Sequence, residues 1–494
     1  MPSDKRGASI WITHMSRLSL LAFLPLAGCL VGPNYHRPAA PAPPAYKENT
    51  PTPPPNLPDG SWKQAQPSSE KLRAKWWELY NEPQLNQLEE KIIVSNQTLK
   101  AAYRVYMQSR EQIRVDRSSL FPTIGVGSSG DREHFSSHRP LVIPNSRNTY
   151  SDITLEGTAS WELDLWGSVR RTVESARASA QASSADLANV QLSLQAQLAI
   201  DYFQLRGLDA QQQILDSTVS SYKQYLKLTQ RRFEGGVASD SDVVLAQTQL
   251  DQSDAQATDI GVARAQYEHA IATLTGTPAS SFHIAPVPIQ VTLPTIPVGL
   301  PSELLERRPD VAAAERRTAV ANAEIGVAQA AFYPNLNLNA GGGFESVNPG
   351  TLIQGPSALW TLGASAAEIL FDAGRRHAVK QQAIDAYEQN AANYREAVLQ
   401  SFQDVEDSLS TLRILDRESA QQANAVADAD HSLRLATLQY KRGLTNYLQV
   451  ITSQATDLSN QRTAVDITVR QATASVQLIK ALGGGWDTAQ MPKP

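Results

Sequence analysis

Hydrophobic and polar positions repeat along this chain with two periods, and both occur twice. Between Gly167 and the Gly235-Gly236 pair there is no proline and one interior glycine, Gly207. Large apolar residues fall at Leu187, Val190, Leu194, Leu198, Tyr202 and Leu205, then at Leu215, Val219, Tyr222 and Leu226. Steps of three and four alternate, the mark of a helix with one buried stripe. The interval from Gly374 to Gly443 is also proline-free, and 236 − 167 and 443 − 374 both give 69. A helix of that size reaches about 100 Å at 1.5 Å per residue. The first one opens on small residues (Ala176, Ala178, Ser179, Ala180, Ala182, Ser183, Ser184, Ala185), which let a neighbouring helix approach closely.

Each interval closes on a turn. Phe233-Glu234-Gly235-Gly236 and Tyr440-Lys441-Arg442-Gly443 end 207 positions apart. Gly236 and Gly443 suit a left-handed C-cap. Ser239 and Asp242 then have the spacing of an N-cap with an acidic third residue, and Asn446 with Gln449 repeats it at the same offset. A second helix follows each turn, to about Thr275 and Leu482, and stops at Gly276 or Gly483-Gly484-Gly485. Each half therefore predicts an antiparallel helical hairpin with a tight tip. A soluble helical bundle would show the same pattern.

Ahead of each long helix the period changes to two. From Tyr150 to Glu162, one face carries Ile153, Leu155, Gly157, Ala159 and Trp161, and the other Asp152, Thr154, Glu156, Thr158, Ser160 and Glu162. The second half offers Leu336, Leu338, Ala340, Gly342 and Phe344 against Asn335, Asn337, Asn339, Gly341, Gly343 and Glu345. Its partner aligns Trp360, Leu362, Ala364 and Ala366. Each run has about the ten residues that a tilted strand needs to cross a bilayer. Phe121, Tyr150, Trp161, Tyr333 and Trp360 stand near run ends, where interfacial rings belong. A half-buried soluble sheet alternates identically; carboxylates and amides all along the polar face suit a water-filled lumen instead. Four strands cannot close a barrel, and lipid does not tolerate open edges. Three chains would supply twelve strands.

The expected fold class is thus mainly α with a small membrane β-barrel. It has two tandem repeats of long antiparallel hairpins and four strands per chain, with barrel and helical tunnel completed by a trimer. Repeat 1 spans 76–276, with a strand hairpin at about 121–165 and a tip at about 234–240. A linker at 277–300 forms an equatorial region. Repeat 2 spans 301–485, with a strand hairpin at about 333–372 and a tip at about 441–447, and 486–494 is a tail.

Composition narrows the picture. With 41% hydrophobic residues and a mean hydropathy of −0.32, the chain has no set of helical membrane spans. Formal charge is −5. Removing residues 1–28 takes away Lys5, Arg6, Arg17 and Asp4, a net +2, and leaves −7. No basic run is present, so nucleic acid is not an expected partner. The sole cysteine, Cys29, follows Arg17, an apolar run from Leu18 to Leu26, and Ala27-Gly28. That is a secretory signal at 1–28 too short to span a bilayer, and Met15 would serve equally as its start. Residues 29–75 are proline-rich and read as an extended tether with no binding role.

The tetrapeptide Leu26-Ala27-Gly28-Cys29 resembles a bacterial lipobox, which implies lipidation at Cys29, and Leu30 in place of aspartate implies the outer membrane. The mature chain resembles TolC-type outer-membrane efflux factors of the lipoprotein (NodT-type) branch. The resemblance is carried by the stretch from Cys29 to Pro38, by Trp76-Trp77, by Asn81 to Leu88, by Trp161 to Gly167 and by Arg307-Arg308-Pro309-Asp310-Val311. It continues in Ala321 to Gly326, Phe332-Tyr333-Pro334 and Ala481 to Trp486. It implies a homotrimer acting as a passive exit duct for drugs, solvents, metals or other small molecules. The implied partners are a periplasmic adaptor (membrane fusion) protein, an inner-membrane transporter of the resistance-nodulation-division class, and outer-membrane lipid. It also implies an aperture at the start of the last helix, where Leu448 matches the apolar constriction. Gln449 and Thr452 replace acidic residues common there. Gly235, Gly236, Ser239, Asp240, Asp242, Gly443 and Asn446 mark the tips as candidate adaptor-docking sites.

No catalytic, cofactor or metal constellation competes. His134, His138, His269, His283, His377 and His431 have no ligand spacing, and no phosphate loop or nucleophile elbow appears. Arg170, Arg171, Arg375 and Arg376 form a solvated helix start or a basic ring lining the pore. The rival readings are a duct for type I protein secretion and a periplasmic coiled-coil structural lipoprotein; the latter predicts no strand pairs.

Overall fold

The computed structural model describes residues 30–48, 75–138, 140, 147–296, 298, 301 and 304–492. Among these, no helix is long and apolar enough to cross a membrane. The first repeat contains α1 (Pro83–Ser95), α2 (Gln97–Ser118), β1 (Thr123–His134), β2 (Thr149–Leu163), α3 (Ser168–Glu234) and α4 (Asp240–Leu274). The second contains α5 (Pro309–Ala330), β3 (Asn335–Ser346), β4 (Ala358–Ala367), α6 (Arg375–Lys441) and α7 (Tyr447–Ala481). Matched helices have matched lengths: 22 residues in α2 and α5, 67 in α3 and α6, 35 in α4 and α7.

The strands form one antiparallel sheet in the order β1-β2-β3-β4. Its register matches apolar positions to apolar ones: Trp161 pairs with Leu338, Ala159 with Ala340, and Leu338 with Ala364. Polar positions meet likewise, Ser160 with Asn339 and Glu162 with Asn337. A one-residue slip would turn every apolar side chain to the polar face. Among the described residues the apolar face is largely uncovered. Val126 is 80% exposed and Trp360 81%.

Below the sheet the helices stand as a wall. The short helices stack end-on upon the returning helices, α2 above α4 and α5 above α7. Glycine makes each stack possible. A Cβ on Gly276 (φ +66) would lie 2.5 Å from the Ser95 carbonyl oxygen, and Gly483 (φ +89) lies equally tight against Arg307. Asn96 caps α2 by accepting from the Leu99 amide and donates to Leu274 O at 2.8 Å, which fixes the first stack. The α2/α4 column packs on α3, α3 packs on the α5/α7 column, and that column packs on α6. Small residues near the top of α3 are buried as their size allows, with Ala185 against Ala312 and Ala313 of α5.

An equatorial core joins the repeats. Trp76, Tyr80, Leu85 and Ile92 pack with Leu198, Tyr202, Phe203 and Leu205 of α3 and with Val476 and Ile479 of α7. Each such side chain contributes roughly 1.5–3 kcal/mol by leaving water.

The tether is bound along its described length, which corrects its reading as an inert linker. The Val31 amide donates to Trp166 O at 3.1 Å, and Asn322 donates to Pro33 O at 3.1 Å. Tyr35 donates to the Glu315 carboxylate, Arg37 to the Tyr394 hydroxyl at 3.0 Å, and Arg395 to Ala39 O. Tyr46 is buried among Tyr394, Val398 and Phe402, and Glu406 accepts from the Lys47 and Glu48 amides. Gly32 (φ +95) presses on Gly326, where a Cβ would come within 2.4 Å of the Gly326 Cα.

The arginines that open the long helices are a second correction, since three of the four are tied down and only Arg375 fits a solvated start. Arg171 is 1% exposed and donates to Val31 O and Gly32 O, both at 3.1 Å. Arg170 pairs with Asp164 at 3.0 Å and Arg376 with Asp372 at 2.7 Å. Asp164 and Asp372 also accept the first amides of their helices, so each arginine is held by the residue that starts its own helix. Arg375 alone remains exposed.

Glu89 in α1 is fully buried with both carboxylate oxygens unpartnered, and burial pushes its carboxyl well above the usual range. The folded chain thus holds a proton that the unfolded chain releases near the ordinary value of about 4.3. Stability therefore falls as pH rises from that value through the raised folded pKa. Glu89→Gln should melt at a higher temperature than the parent at neutral pH and match it near pH 4. Parallel melting curves for the two proteins across that range would refute this account.

Candidate functional site

The lower end of the wall brings the two hairpin tips together. α3 and α6 each finish in a two-bond glycine cap. Val237 N–H reaches Arg232 O and Leu444 N–H reaches Gln439 O, at 2.8 and 2.9 Å, across Gly236 (φ +71) and Gly443 (φ +75). Only a residue without Cβ takes this left-handed conformation cheaply; Gly235 has φ −81 and does not need it. Ser239 then opens α4 with a complete reciprocal cap: its hydroxyl accepts from Asp242 N–H, and the Asp242 carboxylate accepts from Ser239 N–H, both at 3.2 Å. Asn446 opens α7 by accepting from Gln449 N–H at 3.4 Å. The second cap is therefore a looser, one-bond version of the first. Asp240 and Asp242 sit on the positive end of α4, and Arg231, Arg232 and Lys441 on the negative ends of α3 and α6.

One residue links the tips. Arg232 donates to Lys441 O at 3.2 Å, and its guanidinium lies 4.8 Å from the centre of the Tyr440 ring. Tyr440 in turn packs on Tyr447 at 5.2 Å between centroids and donates to the Thr229 hydroxyl. Higher up, Tyr225 and Thr437 share a hydrogen bond of 3.2 Å. Burial pushes the Tyr447 hydroxyl above its ordinary value, so the ring stays neutral. Tyr447 and Val450 lie buried with Val219, Tyr222 and Leu226, so α7 rests in the crease between α3 and α6.

That packing decides which face of α7 is spare. Leu448 is 56% exposed, and Gln449 and Thr452 are exposed beside it. Thr452 donates to Leu448 O and Thr456 to Thr452 O, so these hydroxyls are satisfied within the helix. The spare face carries no charge from Leu448 to Thr456, because Asp457 is turned into the bundle. The three aperture candidates thus share one face, and the docking candidates cluster at the two turns. Cys29 lies outside the described residues. Arg232, Tyr447 and Thr229 were not singled out from the sequence; the signal was a basic residue in the last helical turn 208 positions before a Tyr440 that the turn motif already contained.

A sheet with a bare apolar face, standing on a helical wall about 100 Å long, matches a known architecture. The family profile described as outer membrane efflux protein matches residues 88–277 and 300–484. The chain belongs to the outer membrane efflux protein family. The toluene efflux pump outer membrane protein TtgC of Pseudomonas putida is 29% identical over 472 residues, 95% of each chain. The pyoverdine export outer membrane protein OpmQ of Pseudomonas aeruginosa is 30% identical over 84% of this chain and 88% of its own. Among solved structures, the outer-membrane channel OprN superposes with a TM-score of 0.84 at 27% identity, over 93% of this chain and all of that one. In this efflux family member the wall and sheet are therefore the body of an outer-membrane channel.

The two caps make unequal demands. Ser239→Ala removes the acceptor for Asp242 N–H and should cost about 1 kcal/mol locally, speeding amide exchange at the start of α4 by about fivefold. Asn446→Ala, which loses a longer single bond, should speed exchange at the start of α7 by less. Exchange mass spectrometry of the tip peptides reads both; an equal or reversed effect would refute the ranking.

Proposed function

We propose that this chain is the passive outer-membrane exit duct of a tripartite efflux pump. Three copies would close their sheets into a twelve-stranded barrel and their helices into a tunnel beneath it. One observation carries the reading. Among the described residues β1 and β4 are each paired on one side only, while the outer face is apolar. Unpaired amides and carbonyls cost several kcal/mol each in hydrocarbon, so such a sheet enters lipid only when its edges are closed. Ten residues of β4 at about 3.3 Å per residue and a tilt near 40° cover roughly 25 Å, the height of a barrel's apolar band. The paired strands disfavour a purely coiled-coil lipoprotein. Toluene efflux by TtgC and pyoverdine export by OpmQ favour small molecules over secreted protein as the cargo.

Within this reading, Cys29 carries the lipid, and a periplasmic adaptor and a resistance-nodulation-division transporter work at the tips. The duct does no chemistry of its own. Mass spectrometry tests assembly and anchoring together. The purified protein should appear as a trimer, and its chain mass should begin at Cys29 with acyl chains added. A stable monomer refutes the trimer, and an unmodified Cys29 refutes the anchor.

The spare face of α7 supplies the aperture. Three copies of Leu448 meeting near the axis close a narrow pore by excluding water and need no charge to do so. Gln449 and Thr452 would line the passage as neutral polar groups, with no acidic ring to hold cations. Leu448→Ala should raise single-channel conductance in planar bilayers several-fold, and Gln449→Ala and Thr452→Ala far less. A channel opened by Thr452→Ala and unaffected by Leu448→Ala would make the constriction polar.

A further inference from the structure

The two repeats cover one matching surface differently. α2 and α5 are counterparts at an offset of 212, since Gln97 and Pro309 open them and Ser118 and Ala330 close them. On α5 this surface is taken by the tether. Tyr35 donates to Glu315, Asn322 donates to Pro33 O, and Gly32 lies against Gly326. A segment that starts at a membrane anchor lies outside the tunnel, so the face it covers is the outer one. The matching positions on α2 are Tyr103, Arg110 and Arg114, and Arg117 stands one turn further on, where α5 has Gln329. All four α2 residues are exposed.

Steps of four and three put Arg110, Arg114 and Arg117 on one stripe, about 10 Å long at 1.5 Å per residue. Arg117 has no side-chain partner among the described residues. Arg110 lies over the Tyr106 ring at 5.9 Å. Arg114 pairs with Glu111 at 2.9 Å, but both side chains are more than half exposed, and such a pair holds weakly. Asp116, the other acid in this part of the helix, is off the stripe and accepts from Gln112.

The stripe ends at the foot of the sheet. Trp161 of β2 donates to Leu120 O at 3.1 Å and so fixes the end of α2 there. Phe121 and Ile124 follow, 62% and 77% exposed. With the apolar face in hydrocarbon, the rings of Phe121 and Trp161 mark the interface, and the headgroup layer occupies roughly 5–8 Å beneath it. Arg117 and Arg114 fall within that layer, and Arg110 at its lower border.

We propose that Arg110, Arg114 and Arg117 form a docking surface for the phosphate headgroup of an anionic phospholipid in the periplasmic leaflet. The proposal rests on the outer-membrane placement above and adds a lipid class and the residues that select it. Two observations favour this occupant over a second peptide strap. The tether can lie on α5 because Gly326 has no side chain: a Cβ on Gly32 would come within 2.4 Å of the Gly326 Cα. Arg114 in the same place holds an extended backbone off. The other observation is charge. α5 meets the tether with the neutral Asn322, which suits a carbonyl, whereas guanidinium groups match phosphate oxygens in geometry and sign. The tether on α5 and the lipid on α2 then hold both repeats to the leaflet at the same height.

Native mass spectrometry of the detergent-solubilised full chain tests this, with phosphatidylglycerol and phosphatidylethanolamine of identical acyl chains as probes. Each arginine beside an anionic headgroup strengthens binding about fivefold, so the parent trimer should prefer phosphatidylglycerol by at least about tenfold. Arg110→Gln, Arg114→Gln and Arg117→Gln together should abolish the preference and leave phosphatidylethanolamine binding as it was. The same three positions changed to lysine should keep a preference between the two, which separates a lost site from a damaged fold. Lys223→Gln with Lys227→Gln, far down α3, removes exposed charges of the same sign and should change nothing. An equal loss in that control, or an undiminished preference in the triple glutamine variant, overturns the proposal. Excess inorganic phosphate should leave the lipid bound; displacement would make the stripe a simple anion site and overturn its lipid role. A trimeric parent without any preference overturns this proposal and leaves the duct reading standing. A monomeric parent overturns the duct reading itself, and this placement with it.

Discussion

Backbone hydrogen bonding at two strand edges governs this molecule. In water an open edge is satisfied by solvent, and a four-stranded sheet with one apolar face could be covered by a helix. Here the helices lie below the sheet instead of across it, so among the described residues its apolar face and its two outer edges stay uncovered. The same incompleteness runs down the wall. α6 has few buried positions for its 67 residues and shows Leu399, Ile414, Leu435 and Leu438 to the outside, while the opposite column shows Tyr103, Val105, Val244 and Val262. Sheet and wall end at matching borders.

The chain folds as two repeats that pack on each other. The equal helix lengths matter because a difference of even one turn, about 5.4 Å, would set the tips of the two repeats at different depths. Arg232 could not then reach Lys441 O, nor Tyr440 pack on Tyr447. The repeats differ in the two strands that precede the long helices, in the tip caps and in the helix ahead of each repeat, 13 residues in α1 against a single turn at Leu304–Arg307.

The tether couples the regions. It runs from the base of the sheet, where Arg171 and Trp166 hold Val31, to the middle of α6, where Glu406 holds Lys47 and Glu48. It crosses α5 on the way and so binds both long helices of the wall to one extended strap. Its carbonyls at Val31 and Gly32 accept from the buried Arg171 guanidinium, which also donates to Glu174 and Asn34. A proline-rich strand suits this part because its missing amides leave fewer donors unsatisfied along a surface that offers mostly side-chain donors.

By itself, the sequence determined the architecture that local periodicity encodes. Spacing of three and four, the absence of proline and paired glycines established two hairpins of equal size; strict alternation established three strands with one apolar face, and the repeat implied the fourth. Those features depend on near neighbours along the chain, as does the serine cap at Ser239. What only the tertiary structure decided were partnerships across hundreds of residues. Arg171 reads as an exposed charge at a helix start until Val31 and Gly32, nearly 140 positions earlier, are seen to accept from it. The tether reads as a linker because polyproline segments have no periodic face to reveal where they bind. Leu448, Gln449 and Thr452 share a spare face because Tyr447 and Val450 are taken up by α3 and α6, a choice made by packing between helices and invisible to the spacing within one.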